Sequence, residues 1–207
     1  MSGRKQFDIS AALDQAMRVF WQRGYPDASL DALGSATGLG RGSLYGTFGN
    51  KETLFGKCLD RYASIYGAQY EQALAAHPGD PVRAVEAFFD VVLSRIADPS
   101  VPVGCLVAQS AAQSLTLKEE NAMQVRGLLD VQRQRVRVAL ADSSADSRTL
   151  DELATFVVAV NQSLAVLSRA GTSDAELRSV ARLACTTVAD TIARAASEAV
   201  VVRPFLS

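Results

Sequence analysis

The sequence predicts an all-α protein: an N-terminal three-helix unit of helix-turn-helix type, followed by a larger helical domain. Three observations carry this reading. Every long segment of the 207 residues repeats its apolar side chains at helical spacing. Nowhere do several alternating β-branched runs occur between turns, so nothing reads as a sheet. Short clusters of glycine, proline, serine and aspartate separate the periodic segments. Apolar residues make up 48% and charged residues 21%, a globular balance that excludes disordered and fibrous chains.

The elements follow in order. Asp8 caps a first helix whose inward face carries Ile9, Leu13, Ala16, Met17 and Phe20, and Gly24 ends it. Ser29 caps a short second helix running to about Thr37, and Gly38 breaks the chain. A short third helix spans about 41–47, with Leu44 and Phe48 turned inward. A fourth runs from about Lys51 through Leu54, Phe55, Leu59, Tyr62 and Tyr66 towards Ala76, where "HPGDP" stops it. Five more patterns cover about 82–97, 103–117, 119–141, 147–169 and 174–197, joined by connectors too short for flexible linkers. The expected domains are 1–50 and 51–207, with the helix over 51–76 connecting them. The apolar tail "AVVVRPFLS" is ambiguous.

Net charge is −1 with one histidine, so attraction to a polyanion has to come from local arrangement. Residues 1–62 hold eight Lys or Arg against six Asp or Glu, and the remainder thirteen against sixteen, which favours the N-terminal third. Cys58, Cys105 and Cys185 are odd in number and lack metal-like spacing, which suits reduced thiols in a cytoplasm and predicts no metal site. The opening residues lack a signal-peptide stretch, and no run is read as the roughly 18 apolar residues of a membrane helix, so a soluble protein is expected.

The segment "TGLGRGSLYGTF" at 37–48 poses the functional question. A phosphate-cradling glycine loop needs a strand before it, whereas here a helix precedes it, Gly38, Gly40 and Gly42 do not make G-x-G-x-x-G, and no GKS or GKT follows. Two short helices around a glycine turn, behind a longer helix, form instead the layout that places its second helix in a major groove.

From Ala16 to Phe55 the chain resembles the TetR family of transcriptional regulators: "AMRVFWQRGYPDAS" is similar to the family's first turn, and "LDALGSATGLGRGSLYGTFGNKETLF" to its recognition segment and the start of the next helix. The resemblance implies double-stranded operator DNA as partner, a homodimer, and a small-molecule effector of unknown identity. It implies DNA contacts at Ser29, Arg41, Gly42, Ser43, Tyr45, Thr47 and Lys51. Arg41 and Ser43 fall where side chains meet base edges, and arginine's fork pairs with guanine O6 and N7. Tyr45 and Lys51 resemble the family's phosphate contacts, although Tyr45 equally suits half-buried packing. Arg4 and Lys5 could add unspecific attraction. Gly40 departs from the family's frequent serine or threonine and forgoes a side-chain cap. Gly46 and Thr47 stand where an aromatic or histidine is common, so fewer phosphate contacts are expected there.

Behind this region the resemblance implies an effector pocket and a dimer interface. Phe88, Val92, Cys105, Gln109, Gln113, Phe156 and Asn161 are candidates for an apolar pocket with a few amides, suited to a neutral or weakly polar ligand. Leu153, Val157, Leu164, Leu177, Val180, Ala184 and Val188 are candidates for an intersubunit four-helix bundle. Cys105 reads as a buried thiol or, at a helix start, as an oxidant sensor. Trp21 reads as a packing or interface residue, and Arg133, Arg135 and Arg137 as a solvated face. An enzyme is disfavoured, because a single histidine, no G-x-S-x-G and no clustered carboxylates leave no catalytic set. No cofactor is implied.

Overall fold

The computed structural model describes residues 8–201, and side chains through 197; Arg4, Lys5 and the end of the apolar tail lie outside the described residues. Ten α-helices are described: α1 (Ile9–Asp27), α2 (Leu30–Thr37), α3 (Arg41–Phe48), α4 (Lys51–Tyr62), α5 (Ala68–Ala75), α6 (Pro81–Ala97), α7 (Leu106–Ala112), α8 (Glu119–Leu140), α9 (Ser147–Arg169) and α10 (Asp174–Val201). No strand occurs among the described residues. The single helix expected over 51–76 is interrupted by a π-helical turn at Ala63–Gly67. The one expected over 103–117 is shorter, with a 3-10 turn at Ser114–Thr116.

The chain divides into two compact units, one holding 8–65 with Cys105–Arg126, the other Tyr66–Gly104 with 127–201. This division differs from a cut at residue 50. The reason is that α4 shares the core of the first three helices, where Leu54, Phe55, Cys58 and Leu59 are all buried with Phe20, Leu33 and Leu44.

In the first unit, Asp8 accepts from the amides of Ser10 and Ala11 and so satisfies the start of α1. Phe20 meets Phe55 edge-on with centroids 4.9 Å apart, and Trp21 meets Tyr62 at 5.0 Å, so Trp21 is packing as expected. Ile9 corrects the expected inward face: it is 56% exposed, at the first residue of α1, among the described residues. Gly24 breaks α1 at φ 80°, and a Cβ there would meet the Gln113 amide at 2.6 Å and Gln109 Nε2 at 2.8 Å. The Tyr25 amide donates to Gln113 Oε1 at 3.3 Å. From α8, Asn121 Nδ2 donates to the Glu52 carbonyl, and Gln124 Nε2 to the Gly56 carbonyl and Asp60. Gln113, just after α7, and Asn121 and Gln124 of α8 therefore bond to the backbone of α1 and α4.

In the second unit, α6 packs against α5, α9 and α10, and α9 against α10. Phe88, Phe89, Val92, Leu164, Leu177 and Val188 fill its core. Arg95 is buried there, its Nε donating to the Tyr70 hydroxyl at 2.9 Å and Nη1 to the Gly104 carbonyl. The arginines read as a solvated face keep 30–49% of their side chains accessible and are each paired: Arg133 with Asp130 on α8 itself, Arg135 with Glu71 of α5 and Arg137 with Asp151 of α9.

Helix α9 corrects the expectation that no segment is long and apolar enough to cross a membrane. It has 23 residues, with mean hydropathy 1.4 over its most apolar 18-residue window, 44% of which is buried inside the protein. The core helix of a soluble protein meets the same measures, and α9 covers core on one side through Leu153, Val157 and Leu164.

Candidate nucleic-acid interface

Helices α2 and α3 are built as the sequence predicts. Ser29 Oγ accepts from the Ala32 amide at 3.1 Å, and Gly38 ends α2 in the left-handed conformation at φ 70°. Gly40 stands at the start of α3 without a side-chain cap. Leu44 and Phe48 turn inward, at 1% and 3% exposure, which leaves Arg41, Gly42, Ser43, Tyr45 and Gly46 on the outer face. A Cβ built at Gly42 or Gly46 would meet nothing within 4 Å. Two glycines one turn apart therefore make a strip of α3 bare of side chains, along which its backbone can approach another surface closely.

Arg41 is exposed but not idle. Its Nη2 and Nε donate to the same oxygen, Asp31 Oδ1 on α2, at 2.9 and 3.3 Å, and the carboxylate holds the guanidinium above its usual pKa through that hydrogen bond and its charge. Sequence reasoning passed over Asp31. The available signal was a lone acid in the first turn of α2, since Asp31 and Arg41 are the only charged residues between 28 and 49. Tyr45 is 43% exposed, Ser29 and Ser43 are exposed, and Thr47 is half-buried.

Lys51 opens α4, where Asn50 accepts from the Thr53 amide at 2.8 Å. The Lys51 ammonium donates to the Pro26 carbonyl at 3.3 Å and lies 4.6 Å from the centre of the Tyr25 ring; burial lowers its pKa. The Tyr25 hydroxyl donates to Glu52 at 3.1 Å, and the ring packs on Phe55 at 4.9 Å. Tyr25 thus fastens the end of α1 to the start of α4. Burial first, and Glu52 second, push its pKa from 10.0 to about 12.

This contact sets a pH dependence. A folded-state pKa above the unfolded value contributes stability that is complete below pH 10.0 and is lost as pH rises towards about 12. In alkaline melts, Tyr25→Phe is expected to flatten the loss of stability over that window, at the cost of a lower Tm at pH 7 where the hydrogen bond to Glu52 is intact. An unchanged alkaline limb would mean that Tyr25 does not couple to folding.

The seven expected pocket residues fall in both units. Cys105, Gln109 and Gln113 lie in the first, where Cys105 is buried and its Sγ accepts from the Tyr62 hydroxyl at 3.2 Å, Gln113 Oε1 accepts from the Tyr25 amide, and both glutamine side chains lie against Gly24. Phe88, Val92, Phe156 and Asn161 lie in the second. Phe88 and Val92 are fully buried, Phe156 is half-buried, and the buried Asn161 Oδ1 has no hydrogen-bond partner among the described residues. A groove of about 600 Å3 also lies on the second unit, along α6 and α10, lined among others by Phe89, Leu93, Glu86, Asp90, Arg178 and Cys185. Burial and the nearby Glu86 and Asp90 push the Cys185 thiol up to about 11, and burial raises that of Cys58, so both are poor nucleophiles at neutral pH.

Six of the seven expected interface residues, Leu153, Val157, Leu164, Leu177, Ala184 and Val188, are buried within one chain, and Val180 is half-buried. They point inward because a helix of a packed pair gives its most apolar face to its own subunit. The outward faces carry a second apolar set: Phe156, Val160, Val166 and Leu167 on α9, and Val180 and Leu183 on α10, with Val166 56% and Leu183 66% exposed.

Comparison with known proteins agrees with this arrangement. The model of bacterial regulatory proteins of the tetR family matches residues 12–58. The HTH-type transcriptional repressor ComR of Escherichia coli is 32% identical over 185 residues, covering 86% of this chain and 87% of that one. Among solved structures, the TetR family regulator CifR, a cysteine mutant in complex with a 26-base-pair operator duplex, is 32% identical with a TM-score of 0.75, covering 88% of this chain and 97% of that one. A TetR regulator from Chloroflexus aurantiacus, at 24% identity and a TM-score of 0.77, shares the fold. With its helix-turn-helix and helical second unit, the chain belongs to the TetR family of DNA-binding transcriptional regulators.

Proposed function

We propose that the protein is a homodimeric repressor that reads a palindromic operator through Arg41 and is released from it by a small ligand. The observation that carries this is the outer face of α3: an exposed arginine at the helix start, an exposed tyrosine one turn on, and bare glycine backbone beside them. Arg41 reads a guanine, and Ser43 meets neighbouring base edges. Tyr45, Ser29, Thr47 and Lys51 set the register on phosphates, which carry no sequence information themselves. Lys51 gives one of its three N–H donors to the Pro26 carbonyl and keeps the others for a phosphate.

Two copies joined through the outward faces of α9 and α10 would set their recognition helices about 34–36 Å apart, one turn of duplex, and so read an inverted repeat. The ligand is held in the helical unit, with the buried Asn161 amide as an acceptor for an N–H or O–H group on an otherwise apolar molecule. It acts by binding one of two conformations better; tenfold weaker operator binding requires about 1.4 kcal/mol of such preference. The route runs through the continuous chain from α4 across the π-helical turn into α5. A regulator of this kind works in the cytoplasm, beside the chromosome, and has no catalytic role.

The test is titration of wild type and Arg41→Ala on the selected operator and on random duplex. Loss of one good guanine contact is expected to reduce discrimination by ~5- to 150-fold, with affinity for random duplex falling far less. Equal discrimination by the two proteins would remove Arg41 from the reading role.

A further inference from the structure

The free protein already binds Arg41 to an acidic side chain that base reading, by itself, does not require. An aspartate facing a phosphate backbone repels it, and the segment 28–49 has no net charge because Asp31 cancels Arg41. Its position in the first turn of α2 gives Asp31 a favourable place in the helix field, but the carboxylate is directed across to α3. One oxygen, Oδ1, takes both Nε and Nη2, so the lateral edge of the guanidinium is occupied. The remaining N–H groups are both of those on Nη1 and one on Nη2, and they form the end of the fork. This end matches the O6 and N7 acceptors of guanine.

We propose that Asp31 is a positioning residue for sequence reading, holding the Arg41 guanidinium so that its Nη1–Nη2 end is presented to the floor of the groove. The inference rests on Arg41 as the base reader. It gains weight from the glycines of α3: neither Gly42, beside Arg41, nor Gly46 carries a side chain to confine the long arginine, and space around both is open. Without the carboxylate, Arg41 can turn its lateral edge to a base or swing to a phosphate, where any sequence satisfies it. In water an exposed pair of this kind, with side chains 65% and 78% accessible, is weak. Within the groove the same pair is shielded from solvent and its hold strengthens. Asp31 therefore lowers affinity for duplex in general and raises the share of binding that depends on sequence.

The opposite role for the same contact is sequestration, in which Asp31 keeps Arg41 away from DNA, and the two readings differ in sign. The experiment selects duplexes from a randomised pool with wild type, Asp31→Ala, Asp31→Asn, Arg41→Ala and the Asp31→Ala/Arg41→Ala pair, then titrates each on the selected operator and on random duplex. Thermal melts of the same samples verify folding; both side chains are exposed, so each variant is expected to melt as wild type does. Positioning predicts that Asp31→Ala binds random duplex more tightly yet loses ~10-fold of the guanine preference at the position read by Arg41. Asp31→Asn, which keeps an acceptor oxygen without the charge, is expected to retain part of that preference. In the Arg41→Ala background, removing Asp31 should change no base preference. A guanine preference that survives Asp31→Ala intact, with or without tighter operator binding, overturns positioning. If Arg41→Ala itself leaves the selected sequence unchanged, the base-reading assignment fails together with this inference; if Arg41→Ala abolishes the preference and Asp31→Ala does not, only the inference fails.

Discussion

Replacing Val166 and Leu183 together by glutamate is expected to convert a dimer into a monomer and to weaken operator binding by ~10²- to 10⁴-fold. Both side chains face outward from a single chain, at 56% and 66% exposure, so the change leaves each subunit's own core untouched. On the same two helices Phe156, Val160, Leu167 and Val180 are half-buried, so each keeps apolar area that a second subunit could cover. Covering an aliphatic side chain completely stabilises by about 1.5–3 kcal/mol. A twofold interface repeats every substitution, so two changes per chain put four carboxylates into one apolar patch, each costing several kcal/mol if left unpaired. The operator deficit follows from geometry alone. A dimer that has seated one recognition helix offers the second at high effective concentration, and a monomer does not. Sedimentation velocity measures the assembly, gel shift measures the binding, and a melt verifies the fold. A double variant that remains dimeric would move the interface elsewhere, with the groove along α6 and α10 as the next surface to test.

Much of the reading head was legible because its determinants are local. Ser29 caps the helix that follows it, Gly38 takes the left-handed turn only glycine adopts easily, and Leu44 and Phe48 are spaced to share one face. Once that face is buried, Arg41 and Tyr45 must point outward. The partners of these residues were not legible. Asp31 lies ten residues before Arg41 on another helix, and nothing in the spacing says that their side chains meet. Gln109 and Gln113 read as pocket amides because amides among apolar residues suit a ligand, yet both lie against the Gly24 turn, more than eighty residues away in sequence. The expected interface residues, buried or half-buried within one chain, are a different case. Helices α9 and α10 are apolar on two sides, and periodicity identifies apolar stripes without saying which one faces the chain's own core. The π-helical turn at Ala63–Gly67 leaves no mark in the pattern, since one extra residue per turn over five residues barely shifts the spacing of Tyr62 and Tyr66.

Phe20→Ala is expected to be the most damaging single truncation in the first unit, costing about 3–5 kcal/mol. The ring is fully buried, meets Phe55 at 4.9 Å, and stacks nearly parallel to Tyr25 at 6.2 Å, so its removal empties the space between α1 and α4. Tyr25 then loses one of the two rings that hold it, and its hydrogen bond to Glu52 has less support. The same ring anchors the turn after Gly24, from which the chain enters α2 with its Asp31. A domain of this size is stable by only about 5–15 kcal/mol, so the loss takes a large share of the total. At about 4–8 °C per kcal/mol for a domain of 60–100 residues, the melting temperature of the first unit should fall by more than 10 °C. Tyr45→Ala is the matched control: its ring is 43% exposed on α3, so it should weaken DNA binding while leaving the melt within a few degrees. Calorimetry should show Phe20→Ala depressing a transition that accompanies loss of operator binding, and equal melts for Phe20→Ala and wild type would remove Phe20 from the core that aims α3.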